Sequence, residues 1–469
     1  MMRKLNLSQV SQYLDKEVEL FGWIDVRRDH GKLIFLDLRD RSGKVQLVVA
    51  PSDKETHAIA SGLRPEWVIK ITGIVASRPE GMVNLKEGMS GKIEVKVSKI
   101  EVLSEAKTPP FALDSDGREI DEEIRLKYRY LDLRRARLQK NLILRSEFLK
   151  HIRDFLYNKD FLEIETPMLT KSTPEGSRDF VVPSRLHSGK FYALPQSPQQ
   201  YKQLLMVAGF ERYFQIARAM RDEDTRADRG LEHTQIDLEM SFVEQKDVMS
   251  LVEEMVIFAS EKIGQKIMQK PFPIFTYDEA MEKFKADKFD LRADKDSKEL
   301  AFAWVVDFPV FSAEGGSASG GEKALTYSHN PFTAPKADHV ENLLLGKNLE
   351  LLTSLQYDLV CNGHEVGGGG IRINKPEVLE KVFEILGHSK EEIREKFGHM
   401  LDAFEYGAPP HGGIALGLDR LIMMFQGEEA LREVVAFPLT GDGRDPMMDS
   451  PSTLTKKQLE ELHIKVEEK

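Results

Sequence analysis

A stretch of charged residues between two strand-like runs, within 212–242, carries the first side chains that could do chemistry. Arg221 and Glu223 lie two positions apart where the first run, RYFQIARAM, ends, so their side chains would share one face of an extended chain. An arginine in such a hairpin can hold a phosphate, and nearby carboxylates can bind a sugar, an amine or a metal ion. The segment is also compatible with a surface hairpin of ion pairs.

A second segment, YDLVCNGHEVGGGGIRI at 357–373, combines two carboxylates with a glycine run. Asp358 and Glu365 are seven positions apart, and carboxylate oxygens that converge on one site are ligands that Mg²⁺ prefers. The glycines at 367–370 would let a ligand approach the backbone closely, although a glycine run is also typical of a simple loop. Arg372 follows on a predicted strand and could hold a carboxylate with two hydrogen bonds.

Two shorter motifs complete the set. In GGIALGLDRL, residues 412–421, a glycine-rich strand enters a helix and would place Arg420 near the helix N-terminus, where anions bind. In FLEIETPML, residues 161–169, a helix passes into a strand that ends at Pro167. Neither motif is specific by itself, because prolines at strand ends and short glycine motifs are common.

The elements that must position these residues divide the chain into an all-strand part and a mixed part. Residues 1–104 hold five strand-like runs bounded by turn residues, which predicts a small closed barrel such as the OB-fold, or another five-stranded β domain. The basic segment 124–140 is typical of a solvated helix face, although its sign, opposite to the net charge, favours a phosphate contact. From residue 141 an amphipathic helix and several apolar runs predict a mainly antiparallel sheet with helices.

Composition narrows the class of protein further. The chain has 469 residues, 41% hydrophobic and 30% charged, which is an ordinary globular balance for about three domains. Cys361 is the single cysteine, so no disulfide can form within the chain, as expected in a reducing cytoplasm. No transmembrane run or signal peptide is evident, so we expect a cytoplasmic protein without a membrane partner. The net charge of −11 disfavours a general nucleic-acid binder but allows a local basic stripe.

Taken in order, the four segments resemble class II aminoacyl-tRNA synthetases, with a proline-ended motif 1, an Arg-x-Glu motif 2 and a Gly-x-Asp-Arg motif 3. The likeness to bacterial-type aspartyl-tRNA synthetases extends over nearly the whole chain, through EIRLKYRYLDLRR, TPEGSRDFVVPSR, LPQSPQQYKQLLM, MRDED, HNPFTAP and NGHEVGGG. The resemblance implies an α+β protein with an N-terminal OB-fold and a class II catalytic domain built on an antiparallel sheet flanked by helices. Its boundaries would be 1–104 for the anticodon-binding barrel, 105–140 for a hinge and 141–469 for the catalytic domain. Most of the insertion domain usual in this family is missing, and 268–300 would be its remnant.

The family's activity follows from the resemblance. Its members activate L-aspartate with ATP and Mg²⁺ to an aspartyl-adenylate, then transfer the aspartate to the 3′ end of tRNA-Asp. Because the attacking carboxylate is already ionised at neutral pH, the first step needs alignment and charge neutralisation, and no general base. Arg221 and Arg420 would be the catalytic arginines, and Pro167 would lie at a homodimer interface.

The resemblance also assigns the ligand-binding side chains. ATP would contact Arg221, Glu223, His233, Gln235, Glu365, Gly417, Leu418, Asp419 and Arg420. Aspartate would contact Glu175, Ser197, Gln199, Lys202, Arg221, Arg372 and His329. The resemblance also implies that His329 lies on a loop expected to close over the substrate. Mg²⁺ would be bound by Asp358 and Glu365. Lys202 and Arg372 would face the substrate's side-chain carboxylate, which favours aspartate because asparagine would leave buried positive charge unpaired and lysine would be repelled.

The predicted barrel carries the residues that the resemblance assigns to tRNA. The anticodon would contact Arg28, Phe35, Gln46 and Glu94. Phe35 would stack on a base, as aromatic residues of OB-folds do, and simple core packing is the alternative. His30 and Gly81 resemble the non-discriminating subgroup, which aspartylates both tRNA-Asp and tRNA-Asn. The product on tRNA-Asn would be the substrate of an amidotransferase, and the alternative is that both residues only form turns.

Two departures from the family pattern concern side chains near the substrates. His233 replaces the aromatic residue that stacks on adenine, and Asn330 replaces one of two histidines before PFTAP. Neither change removes a charged catalytic group. A strictly discriminating tRNA-Asp synthetase and a synthetase-like tRNA-binding protein without catalysis remain as alternatives, although the presence of both catalytic arginines disfavours the latter.

Overall fold

The computed structural model describes residues 5–84, 91–172, 177–312 and 325–467. The chain forms two compact units, Met1–Ser115 and Asp116–Lys469. The division lies within the predicted hinge over 105–140. Across the described residues, every helix is too short or too polar to span a lipid bilayer.

The first unit is a closed five-stranded barrel, as predicted. The strands pair in the order β1-β2-β3-β5-β4, with β3 and β5 parallel. They are β1 (Glu17–His30), β2 (Leu33–Asp40), β3 (Gly43–Val49), β4 (Val68–Ser77) and β5 (Ile93–Ser104), and α1 (Lys54–Gly62) lies between β3 and β4. Ile34, Leu36 and Leu38 point into the barrel core, so the residues between them on β2 lie on its outer surface.

The second unit is built on an eight-stranded sheet of order β11-β12-β15-β16-β17-β10-β9-β6. Its inner strands are antiparallel, and the pairs at its two edges, β11–β12 and β6–β9, are parallel. The strands are β6 (Leu162–Glu163), β9 (Arg212–Met220), β10 (Glu232–Ser241), β11 (Ile274–Thr276), β12 (Phe302–Val306), β15 (Gln356–Cys361), β16 (His364–Ile371) and β17 (His411–Gly417). Two small hairpins stand apart from this sheet: β7 (Val181–Pro183) with β8 (Phe191–Ala193), and β13 (Phe311–Ser312) with β14 (Thr326–Tyr327).

The helices of this unit pack on both faces of the sheet, and β10 carries polar side chains on the face away from the main core. They are α2 (Glu122–Lys127), α3 (Arg129–Asp132), α4 (Ala136–Tyr157), α5 (Gln199–Val207), α6 (Gln245–Lys262), α7 (Tyr277–Phe284), α8 (Val340–Leu345), α9 (Pro376–Ile385), α10 (Lys390–Glu405), α11 (Leu418–Gln426) and α12 (Lys456–Glu461). Phe148 and Ile152 of α4 join Val252 of α6 in one core with Ile236 and Leu238 of β10. The helix predicted from residue 141 therefore exists and begins earlier, at the first residue of α4.

The basic segment before α4 has a structural role that its charge pattern did not reveal. Arg125, Arg129 and Arg135 surround the buried carboxylate of Asp132, with nitrogen–oxygen distances of 3.2, 2.8 and 2.7 Å. Arg129 also donates to backbone carbonyls of residues 432, 435 and 436. Because these guanidinium groups are buried and already paired, the expected phosphate contact is wrong for these three arginines.

Candidate active site

Strand β10 supplies a row of polar side chains to the open face of the sheet. Its residues alternate, so that Ile236, Leu238 and Met240 enter the core while His233, Gln235, Asp237 and Glu239 share the opposite face. Neighbouring β9 and β17 flank this row on both sides.

Four buried charges form the centre of the site. The ammonium nitrogen of Lys202 lies 2.6 Å from Asp237 and 3.1 Å from Glu239, and Nε of Arg372 lies 2.9 Å from Glu239. Gly413 makes room for this arrangement, because a Cβ there would overlap the Glu239 carboxylate. The two cations and two carboxylates balance one another, which offsets part of the cost of burying them.

The surroundings drive the pKa values of these two carboxyl groups in opposite directions. Burial raises the pKa of Asp237 in spite of Lys202. Burial also acts to raise the pKa of Glu239, but Arg372 and Lys202 outweigh it and lower that pKa. The sequence interpretation treated Lys202 and Arg372 as cations that only the substrate would pair. In the structure each of them already faces a carboxylate of the protein. The missed residues were signalled by the alternation of polar and apolar residues in TQIDLEMS.

Two acceptor atoms on the same face lack a hydrogen-bond donor among the described residues. They are Oδ2 of Asp237 and Oε1 of Gln235, both buried. Buried acceptors normally find a donor in the protein or in ordered water. A ligand that brings N–H groups, such as an ammonium or an amine, would satisfy them.

Helix α5 and the chain before it form the wall next to this cluster. Gln199 donates to the side chain of Gln203 at 3.0 Å, and Gln203 contacts Nε2 of His411 at 3.1 Å. The hydroxyl of Ser197 accepts the backbone N–H of Gln199 at 3.3 Å. Ser197, Gln199 and Lys202 thus lie on one short stretch, as predicted, and Glu175 is outside the described residues.

Arg221 directly follows the last residue of β9, at the start of a loop that returns to β10. Its backbone N–H donates to the carbonyl of Leu231 at 2.8 Å, which closes the loop. The guanidinium is half-buried, and within the described ranges it has no hydrogen-bond or ion-pair partner. Glu223, two residues on, is held by the hydroxyl of Ser177 and by Arg229 at 3.1 Å. No partner among the described residues therefore competes with a ligand for the predicted phosphate-binding arginine.

His233 lies next to this arginine and is neutral at physiological pH. Burial, together with the charges of Arg221, Arg420 and Arg218, lowers its pKa from 6.5 to about 3. A neutral imidazole can stack against a purine without adding a further positive charge.

Asp358 and Glu365 converge on one point above the glycine run, as predicted. They lie on β15 and β16, which pair with a bulge between Leu359 and Val360. A Cβ at Gly368 would lie 3.3 Å from Oδ1 of Asp358 and 3.5 Å from Oε1 of Glu365. Oxygen donors that meet in this way fit Mg²⁺, with nucleotide phosphates and water as further ligands. The described residues contain no group of three or more His, Cys, Asp or Glu side chains placed to bind a metal by themselves.

Each of these carboxylates has its own cationic neighbour. Nε2 of His329 lies 3.2 Å from Asp358, and the ammonium of Lys288 lies 2.7 Å from Glu365. Burial alone would lower the pKa of His329, but Asp358 and Glu365 raise it to about 9. Gln356 adds a hydrogen bond to Asp358 at 2.6 Å. Lys288, in the remnant of the insertion region, was not predicted as a site residue.

At the start of α11, the side chains of Leu418 and Asp419 are used for contacts inside the protein, and Arg420 lies at the edge of the site. Arg420 donates to the carbonyl of Glu365 and lies 3.4 Å from the carboxylate of Asp228. The side chain of Leu418 is part of the hydrophobic core. Asp419 accepts the backbone N–H of Thr234 at 2.9 Å and a bond from Arg145. The predicted ATP contacts of Leu418 and Asp419 would therefore have to come from their backbone atoms, as for Gly417.

The anticodon residues predicted on the barrel meet on its outer surface. Arg28 donates twice to Asp37 at 2.7 Å, and Gln46 donates to Glu94 at 3.3 Å, across neighbouring strands. Phe35 alternates with core residues of β2 and is only half-buried, so simple core packing is wrong for it.

The two residues of the non-discriminating pattern lie in different settings. The ring of His30 is exposed, with its centroid 5.5 Å from that of Phe35 in an edge-on arrangement. Gly81 lies in a short 3₁₀ turn, and a Cβ there would meet no atom of the described residues within 4 Å. Its φ is outside the left-handed region, so neither space nor backbone conformation requires a glycine there.

Comparison with known proteins identifies the family to which this chain belongs. The model of the tRNA synthetases class II (D, K and N) matches residues 121–441, and that of the OB-fold nucleic acid binding domain matches 18–103. The chain therefore belongs to the class II tRNA synthetases of the D, K and N group. It is similar over its full length, at 41% identity, to the aspartate–tRNA(Asp/Asn) ligase of Syntrophomonas wolfei, all of which is covered.

Other relatives agree on the family. The aspartate–tRNA(Asp/Asn) ligase of Heliobacterium modesticaldum is 42% identical, with 96% of this chain and 94% of the relative covered. The aspartate–tRNA ligase of Staphylococcus saprophyticus is 38% identical, with 97% of each chain covered. The Syntrophomonas alignment spans 597 positions against 469 residues here, so this chain lacks stretches that the relative has.

Solved structures share the fold. Asparaginyl-tRNA synthetase from Pyrococcus horikoshii, complexed with asparaginyl-adenylate, has a TM-score of 0.75 at 22% identity, with 93% of this chain and 98% of that one covered. A putative aspartyl-tRNA synthetase from Leishmania major has the same TM-score at 21% identity, with 93% of each chain covered.

Proposed function

We propose that this protein is an aspartate–tRNA ligase that forms aspartyl-adenylate from L-aspartate and ATP, and aspartylates both tRNA-Asp and tRNA-Asn. The observation that carries the proposal is full-length similarity, at about 40% identity, to several ligases named for both tRNAs. The geometry supports the chemistry, since the described residues provide an arginine without a partner among them, a converging acidic pair and a buried charge cluster.

Arg221 is the group that aligns the two reactants. Its guanidinium has no partner among the described residues, so it can bridge the attacking carboxylate and the α-phosphate. It supplies positive charge where negative charge builds up on the phosphate, and Arg420 does the same at the far end of the triphosphate. Glu223, Gln235 and the neutral ring of His233 orient the adenosine.

The charge cluster selects the amino acid. Aspartate brings one ammonium and a side-chain carboxylate into a balanced set of charges. The ammonium group of the substrate would donate to Asp237, whose Oδ2 lacks a donor among the described residues, and to Glu175. Lys202 and Arg372 would bind the side-chain carboxylate. Asparagine offers no negative charge to these two cations, so its binding leaves them less well compensated. Ser197, Gln199 and His329 complete the enclosure.

Mg²⁺ is the cation that the acidic pair would hold. Asp358 and Glu365 would bind it together with phosphate oxygens, and when bound it would neutralise charge on the triphosphate. The outer surface of the barrel around Phe35 would bind the anticodon, with Arg28, Gln46 and Glu94 beside it and His30 with Gly81 relaxing its selectivity.

The partners extend the proposal beyond the single chain. A second copy would pair through the motif 1 region around Pro167, and an amidotransferase would convert the aspartate on tRNA-Asn. Aspartylation of tRNA and amidation of the attached aspartate both serve translation, so we assign the enzyme to the cytoplasm. A ligase restricted to tRNA-Asp is the second candidate, favoured by the Staphylococcus relative named for aspartate–tRNA alone.

Amino-acid-dependent ATP–pyrophosphate exchange tests the first half of this proposal. We expect exchange with aspartate and about one hundredth of that rate or less with asparagine or lysine, because neither brings a carboxylate to Lys202 and Arg372, and a hydrogen bond to a charged group contributes about 1.5–3 kcal/mol. Equal exchange with asparagine would contradict the assignment of the charge cluster to specificity. Absence of exchange with all three amino acids would support a protein that binds tRNA without catalysis.

A further inference from the structure

The loop between α7 and β12 brings a lysine to the acidic pair. Lys288 lies on this loop with its ammonium nitrogen 2.7 Å from Oε2 of Glu365. Its side chain is 46% exposed, so it reaches the site from the solvent side and is not locked into the core. Nothing in the activation chemistry described above uses this cation.

The backbone beside Lys288 is anchored to the hairpin that carries the acidic pair. The ring of Phe289 is buried and stacks on Phe284 with centroids 4.0 Å apart. The carbonyl of Phe289 accepts the N–H of Gly363, in the turn between β15 and β16, at 3.0 Å. Asp290 is fixed by the guanidinium of Arg292 at 2.9 Å. The loop therefore holds Lys288 in a defined place relative to Glu365.

The charges at the pair explain what this lysine does. Two carboxylates that converge over one glycine repel each other, and a buried carboxylate without a counter-charge is costly. Nε2 of His329 lies 3.2 Å from Asp358, and the ammonium of Lys288 pairs with Glu365. The His329 ring packs against Phe308 at 4.6 Å, whereas Lys288 has a flexible stem and open space.

We propose that Lys288 is the internal counter-ion of Glu365, and that a divalent cation displaces it on binding between Asp358 and Glu365. The inference rests on the proposed function, which places a divalent cation at this pair. Ammonium and metal compete for one carboxylate, so Lys288 weakens metal binding while the nucleotide is absent. Removing the lysine charge should therefore tighten it, which is the opposite of what loss of an orienting residue would do.

Mn²⁺ binding by the full-length, nucleotide-free protein tests this inference, with free Mn²⁺ followed by electron paramagnetic resonance. We expect Lys288→Met to bind Mn²⁺ roughly two- to fivefold more tightly than the parent, the scale of one partly exposed ion pair. Lys288→Arg keeps the charge and should bind like the parent. Lys159→Met, which breaks a similarly exposed pair with Glu254 at 2.8 Å, is the matched control and should change nothing.

The site of binding is checked with Asp358→Asn, which should abolish the Mn²⁺ signal in both the parent and the Lys288→Met background. Equal or weaker binding by Lys288→Met, or no binding by either protein, would overturn the inference. Aspartate-dependent pyrophosphate exchange by the parent judges the proposed function separately. If Lys288→Met binds Mn²⁺ more tightly but the parent shows no pyrophosphate exchange, the counter-ion role of Lys288 is supported and the proposed ligase function is contradicted.

Discussion

Replacing Arg221 by alanine should separate catalysis from stability, because the arginine has no partner in the described part of the structure. Its side chain is half-buried and makes no hydrogen bond or ion pair there, so no native contact of its charge is lost. His233 is neutral beside it, so removing the arginine charge would only let the pKa of His233 rise. We expect the free energy of unfolding to change by about 0.5 kcal/mol or less.

The catalytic effect should be large by comparison. A charge that stabilises the transition state in a site shielded from water contributes roughly 3–4 kcal/mol, which corresponds to a loss of about 10²- to 10³-fold in rate. Aspartate-dependent pyrophosphate exchange measures this loss, and urea unfolding measures the stability. Near-normal exchange by Arg221→Ala would refute the assignment of this arginine to the reacting groups.

Arg372→Ala provides the contrast. This side chain is buried, lies 2.9 Å from Glu239 and donates to the carbonyl of Gly413 at 3.1 Å. Its loss leaves Glu239 with Lys202 alone, and breaking one partner of a buried pair costs about 3–5 kcal/mol. We therefore expect Arg372→Ala to lose stability as well as exchange. Equal stability of the two variants would show that the burial argument is wrong.

Two further predictions concern the barrel and the adenosine side. Phe35→Ala should raise the KM for tRNA by about 5- to 150-fold while exchange stays within about twofold, because loss of one base-stacking platform removes about 1–3 kcal/mol. Equal losses in both assays would indicate a structural role. His233→Phe should reduce acid sensitivity. The pKa of His233 is lowered to about 3, so between that pH and 6.5 the unfolded chain binds the extra proton and stability falls as the pH drops. Between pH 6 and pH 5 the free energy of unfolding of the parent should fall by up to about 1.4 kcal/mol more than that of the variant, as measured by urea unfolding. Parallel plots of the free energy of unfolding against pH would contradict the lowered pKa of His233.

The fold was largely predictable because its signals are local. Alternating residues predict β2 and the other strands of the barrel, and helical spacing of Leu144, Phe148 and Ile152 predicts α4. The closing order of the barrel and the parallel edge pairs of the large sheet depend on contacts between distant segments, which periodicity does not encode.

The site was predictable in its motifs and not in its pairings. Arg221, Asp358 and Glu365 are marked by motif spacing, and the structure brings the two carboxylates together over Gly368. The buried partners of Lys202 lie on strand β10, and the cation at Glu365 lies on a loop, so spacing within each motif could not reveal these pairings. Likewise the charge run near Asp132 looks like a surface in sequence and is an interior ion-pair cluster in three dimensions.

The most direct test of the central claim is aminoacylation with [¹⁴C]aspartate by the purified protein, with tRNA-Asp and tRNA-Asn transcripts in separate reactions. The proposed function predicts that both transcripts are charged at comparable rates, and that His30 and Gly81 variants lose tRNA-Asn preferentially. Charging of tRNA-Asp alone would keep the ligase and reject the relaxed anticodon reading. Charging of neither transcript, by a protein that is folded and binds ATP, would contradict the proposed function as a whole.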